Sequence, residues 1–162
     1  MGMRQTSLAK WLKLIFVGIG LCCFAVCAFV VPMLGKELAE SYNGEFAYCY
    51  WPWLIFIWAS NIPCYLTLVF AWRIASNIGA NKSFSIANAS LLKWISVMAA
   101  GDSVFFFLGN IVFLLLNMSH PSIVLLAIVI VFIGIAIAVF AAALSHLVMK
   151  AAVLQDESDL TI

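Results

Sequence analysis

Apolar residues along this chain neither alternate nor keep to one helical stripe; they run nearly unbroken in four stretches parted by short polar segments. The stretches cover approximately residues 12–34, 51–74, 91–116 and 123–150. Each exceeds the roughly 20 residues a helix needs to cross a hydrocarbon core. In lipid, only helices and closed barrels satisfy every backbone amide, and runs of this length read as helices. The pattern therefore predicts an all-α integral membrane protein: one domain, residues 1–162, folded as a four-transmembrane-helix bundle.

Irregularities within the runs add detail. Pro63 lies in the middle of the second run, just after Ser60 and Asn61. A proline removes one backbone donor, which predicts a kink there and a carbonyl in need of another partner. The fourth run meets no helix breaker other than Gly134 from residue 123 to residue 154, a length of 32 residues. That is about 48 Å of helix against a core of about 30 Å, so its last turns should leave the membrane before a tail at residues 155–162. Ala136, Ala138, Ala141, Ala142, Ala143 and Ser145 give this helix small residues for close packing. The segment 117–122, ending in His120-Pro121-Ser122, is short enough to make spans three and four an antiparallel hairpin.

Composition removes the soluble alternatives. The chain is 66% hydrophobic and 9% charged, where a soluble domain carries about 25% charged residues. Charge placement orients the bundle. Seven of the eight basic residues (Arg4, Lys10, Lys13, Arg73, Lys82, Lys93 and Lys150) fall on one side of the four spans, and only Lys36 falls on the other. The positive-inside rule then puts both the N- and C-termini in the cytoplasm. Trp11, Trp72 and Trp94 mark the inner interface, and Tyr50, Trp51 and Trp53 the outer one.

Asp102 stands out as candidate chemistry, because a carboxylate near the middle of a span costs about 2.5–3.5 kcal/mol on insertion scales. It shares a stripe of about 80° with Phe106, Gly109, Phe113 and Asn117, and Asn110 lies at the edge of that stripe. No basic residue is deep enough to pair with it. Asn61, the carbonyl freed by Pro63, or a Ser or Thr of a neighbouring helix are the partners open to it. Three roles follow for Asp102, Asn110 and Asn61: fixing helix register, contacting a ligand or ion, or relaying protons. The five cysteines form no CxxC pair, and only Cys49 reaches the outer side; the two histidines lie a membrane apart. Neither a metal site nor a cofactor is expected, and no catalytic motif is present.

Two segments outside the membrane are candidate contact surfaces. Ser85 is suited to cap helix three, with Asn88 at the third helical position, and Phe84 beside it can dip into the interface. Phe84, Ser85 and Asn88 read either as a capped helix start or as a docking surface. The tail gathers Asp156, Glu157 and Asp159 before the apolar Leu160 and Ile162. Such a run is either a solvated tail or an acidic segment that a small basic protein can grip.

Lys82-x-Phe84-Ser85-x-x-Asn88-x-x-Leu91 and the terminal Glu157-x-Asp159-Leu160-Thr161-Ile162 resemble the two signatures of domain-of-unknown-function family 2975. That is a family of bacterial four-helix membrane proteins, and the resemblance spans essentially the whole chain. Ala87 departs from it, since many relatives carry Glu there. The resemblance implies a multi-pass protein of the bacterial plasma (inner) membrane, commonly encoded beside a Cro/C1-type helix-turn-helix regulator. It implies no reaction. The expectation is a non-enzymatic regulatory partner of such a regulator, touching the lipid bilayer and the regulator but not nucleic acid itself. A small transporter or ligand-binding sensor built around Asp102 is the alternative, and a structural subunit of a membrane complex a third. The oligomeric state is left open.

Overall fold

In the computed structural model the backbone is described for residues 2–41 and 47–159, and side chains for residues 5–37 and 47–157. All regular structure among these residues is helical. Helix α1 (Gly2–Ala25) passes through a five-residue π-helical segment (Val26–Val30) into α2 (Val31–Ser41). A short 3-10 turn (Ala47–Cys49) leads into α3 (Tyr50–Gly79), followed by α4 (Ile86–Leu115) and α5 (Pro121–Asp159). Four helices are long and apolar enough to cross a membrane: Gln5–Glu37, Ala47–Gly79, Ile86–Leu115 and Pro121–Glu157. These contain the four runs with ends one to several residues away, except that α4 stops at Leu115.

Both described turns after helix ends are closed by asparagine. Asn81 (φ 60°) and Asn117 (φ 56°) occupy the left-handed region, which asparagine tolerates better than most residues. After α3, Lys82 N–H donates to the Asn77 carbonyl and Asn81 N–H to the Ile78 carbonyl. After α4, Met118 and Asn117 repeat the pattern on Phe113 and Leu114. Each set of bonds satisfies carbonyls that a helix end would leave open and turns the chain back sharply.

The helices pack in order: α1 on α3, α3 on α4, and α4 on α5, with no comparable packing of α1 on α5 or α3 on α5 among the described residues. Among the described residues the spans thus neighbour one another in chain order. The tightest seam joins α4 and α5. Gly134 sits so close to α4 that a Cβ there would run into the Ser103 hydroxyl. Ala127, Ala138, Ala141 and Ala152 are buried along the same helix, and Ser145 Oγ donates to the Ala89 carbonyl over 2.7 Å. Small residues at these spacings let the two backbones approach, the usual basis of helix association in lipid.

Residues 155–159 were expected as a tail beyond the last helix; α5 instead remains helical to Asp159. From Ala151 through Glu157 the segment has neither Gly nor Pro and is built mainly from good helix formers. Helix α3 runs from Tyr50 to Gly79 with Pro63 inside it.

Candidate functional site: a carboxylate between α3 and α4

Asp102 lies on α4 where it faces α3, half-buried. Ser60 Oγ donates to its Oδ1 over 2.8 Å, and Cys64 Sγ lies 3.9 Å from its Oδ2. Ser60 and Cys64 are one turn apart on α3, so both reach the same carboxyl group. A groove of about 300 Å³ opens beside it, lined by Ala59, Ile62, Pro63, Gly101, Asp102 and Phe105. Pro63 has no N–H to give to the Ala59 carbonyl, and both residues line this groove. Apart from Asp102 its lining side chains are apolar.

Of the partners open to Asp102 in the sequence, the structure selects a serine of the neighbouring helix. Asn61 is not a partner. Its Nδ2 donates to Cys27 Sγ and to the Ile57 carbonyl, both at 2.9 Å. The reason is geometric: one residue along a helix is a rotation of about 100°, so Ser60 facing α4 sends Asn61 toward α1. Trp58 Nε1 also bonds to Cys27, through its carbonyl, at 3.1 Å. Cys27 falls within the π-helical segment, and such segments often accompany functional positions. In the sequence Cys27 lies unmarked within an apolar run.

Asn110 is placed apart from Asp102, two turns further along α4 and 1% exposed. Its Nδ2 donates to the Phe106 carbonyl over 2.8 Å, while its Oδ1 has no hydrogen-bond partner among the described residues. Around that level the helices meet through rings. Phe56 packs against Phe105, Phe106 and Phe113, and Trp53 stacks on Phe113. A Cβ at Gly109 would enter the Phe56 ring, so this glycine admits the aromatic side chain. Trp53 Nε1 then donates to the Met118 carbonyl, tying α3 to the turn after α4. Asp102, Asn61 and Asn110 therefore belong to three separate contacts.

The turn before α4 combines a cap with a buried amide. Ser85 has extended backbone and accepts the Asn88 N–H on its hydroxyl, as an N-cap does. Asn88 is 1% exposed. Its Nδ2 donates to the carbonyls of Lys82 and Ser83, and its Oδ1 accepts from Asn77 Nδ2 at 2.7 Å. An amide so enclosed holds the turn together and is not presented to a partner, which corrects its inclusion in a docking surface. Phe84 and Ile86 beside it are exposed. Asp156 and Glu157 stand exposed on the end of α5; Leu160 and Ile162 lie outside the described residues, and of Asp159 only the helical backbone is described. Cys49, expected on the outer side, is buried.

A family model described as "Protein of unknown function (DUF2975)" matches residues 33–162. The chain is similar to the "Uncharacterized membrane protein YoaS" of Bacillus subtilis (strain 168), with 35% identity over 154 residues covering 94% of this chain and 96% of that protein. No solved structure matches the chain.

Proposed function

The chain belongs to the DUF2975 family of membrane proteins, and from that membership and the geometry above we propose that it is a non-catalytic, membrane-embedded regulatory partner of a small cytoplasmic DNA-binding protein. The observation that carries this reading is the length of α5. Its 39 residues amount to about 58 Å of helix, nearly twice the hydrocarbon core. A rigid helical end bearing Asp156 and Glu157 therefore stands clear of the membrane, on the side that the basic residues assign to the cytoplasm. A helix-turn-helix protein presents a basic face to DNA phosphates, and an acidic helix competes for that face. Phe84, exposed on the turn before α4, adds an apolar contact at the same end of the molecule. The bundle biases the binding through the α3–α4 seam, where Asp102 and Ser60 link the two helices whose connecting turn carries Phe84.

The test uses the regulator that the family resemblance implies, pulled down from membranes with full-length protein and with a variant ending at Leu154. The full-length protein retains the regulator, less well as salt rises, and the truncated one releases it and changes transcription of its targets. Equal retention by both forms sinks the proposal.

The groove beside Asp102 favours a second reading, a ligand-binding sensor or small transporter. That reading requires ion or solute flux in proteoliposomes that Asp102→Asn abolishes; a silent wild-type protein counts against it.

A further inference from the structure

A second and larger cleft opens between α3 and α4 at the basic end of the molecule. It encloses about 540 Å³ and is lined by Phe70, Arg73, Ser76, Asn77, Ala87, Ser90, Leu91 and Trp94. The lining follows helical spacing on both sides: positions 70, 73 and 77 on α3 face positions 87, 91 and 94 on α4. Arg73 lies one turn membrane-ward of the Asn77–Asn88 bond that closes the connecting turn. It is exposed, and no hydrogen bond or ion pair holds it among the described residues. Lys13, by contrast, is engaged over the Trp72 ring at 5.1 Å. Ser90 is also exposed and contributes a hydroxyl without a protein partner among the described residues.

We propose that this cleft is a head-group site for an anionic membrane phospholipid, in which Arg73 binds the phosphate, Ser90 adds a second donor, and an acyl chain lies over Phe70, Leu91 and Trp94. The guanidinium fork matches phosphate oxygens two at a time, and here it has no carboxylate to satisfy it. No acidic residue lines the cleft, so it is not built for a cation. Its volume falls in the range of small-molecule sites, about 300–1,000 Å³. Its depth is interfacial, since Trp72 precedes Arg73 directly and Trp94 forms the opposite wall, and tryptophan marks the head-group level. A free phosphate would satisfy the guanidinium and leave the aromatic and leucine wall uncovered. A phospholipid covers both. Basic pockets between helices at the head-group level suit anionic head groups. Bound there, the lipid bridges α3 and α4 beside the turn that carries Phe84.

The test titrates the full-length protein in neutral detergent with phosphatidylglycerol, with phosphatidylcholine and with inorganic phosphate, read by native mass spectrometry and by melting temperature. Phosphatidylglycerol should bind saturably at one site, on the order of 10-fold more tightly than phosphatidylcholine. Arg73→Gln should abolish that preference, Arg73→Lys should keep part of it, and Lys10→Gln, away from the cleft, should leave it intact. Melting temperatures of the lipid-free variants should match the wild type, because Arg73 makes no internal bond. Retention of the full preference by Arg73→Gln overturns the site. Protection by inorganic phosphate equal to that by the lipid overturns the lipid assignment.

Discussion

The two ends of the helix row are held in different ways. Between α4 and α5 the contact is made by absence of side chain: Gly134 against Ser103, buried alanines at 127, 138, 141 and 152, and a serine bonded to a backbone carbonyl. The first span has Ala9 as its one buried side chain among the described residues. It meets α3 near Gly79 at the basic end and through Trp58 and Asn61 on Cys27 midway. A soluble protein would rank these seams by buried apolar area. In a membrane that ranking loses its meaning, because lipid tails solvate leucine as well as another helix does, and close approach plus polar bonds decide. The middle seam, α3 on α4, combines both devices with the Phe56 cluster and the Ser60–Asp102 bond.

The comparison breaks most visibly at Gly134. Gly134→Leu drives a side chain into Ser103 and should cost about 3 kcal/mol, the upper end of overpacking effects, with a large fall in detergent melting temperature. Gly18 has nothing within 4 Å of its Cβ position, so Gly18→Leu should melt like the wild type. Equal losses would show that lipid-facing and seam glycines are not distinguished as described. At the middle seam, Asp102→Asn keeps an acceptor for Ser60 and should fold nearly normally. Asp102→Leu leaves the Ser60 hydroxyl without its partner and should cost on the order of 1–3 kcal/mol. Identical melting of these two variants would remove the hydrogen bond from any structural account and leave Asp102 to the ligand-contact reading.

The spans themselves were legible because length and unbroken hydropathy suffice to identify a membrane helix. Which face meets a neighbour was not, because seam and lipid faces are equally apolar here; of the small residues on α5, Ala138 and Ala141 are buried while Ala142 and Ala143 are exposed. Asp102 was legible as a residue out of place, yet its partner was not. Ser60 and Asn61 are adjacent, and only the rotation of α3 decides which of them turns to α4. The N-cap at Ser85 could be read directly, whereas burial of Asn88 depends on Asn77 across the turn, a contact that no local pattern encodes. The π-helical segment leaves no mark in an apolar run. The Arg73 cleft did leave one, in helical spacing shared by Phe70, Arg73 and Asn77, but the arginine reads in sequence as one more inner-side charge. The extension of α5 to Asp159 is hidden because charge in this segment reads as the sign of a tail, whereas helix propensity continues past it.

The bond-anchored seam between the first span and α3 gives the smallest expected effect and the sharpest test of the comparison. Replacing Trp58 by Phe removes the bond to the Cys27 carbonyl, and Asn61→Leu removes the bond to the Cys27 thiol while giving up an intrahelical bond to Ile57. Interhelical hydrogen bonds in membrane proteins average about 0.6 kcal/mol each, so the double variant should lose only about 1 kcal/mol. The change should also be local. Cys22 and Cys23 on α1 should react faster with a membrane-permeant thiol reagent, since they lie within about a turn and a half of Cys27, where both bonds end. The α4–α5 hairpin, whose seam shares no residue with this contact, should show unchanged hydrogen exchange. If the double variant lowers the melting temperature as far as Gly134→Leu does, the first span is bound as tightly as the hairpin, and the distinction between close-packed and bond-anchored seams fails for this protein.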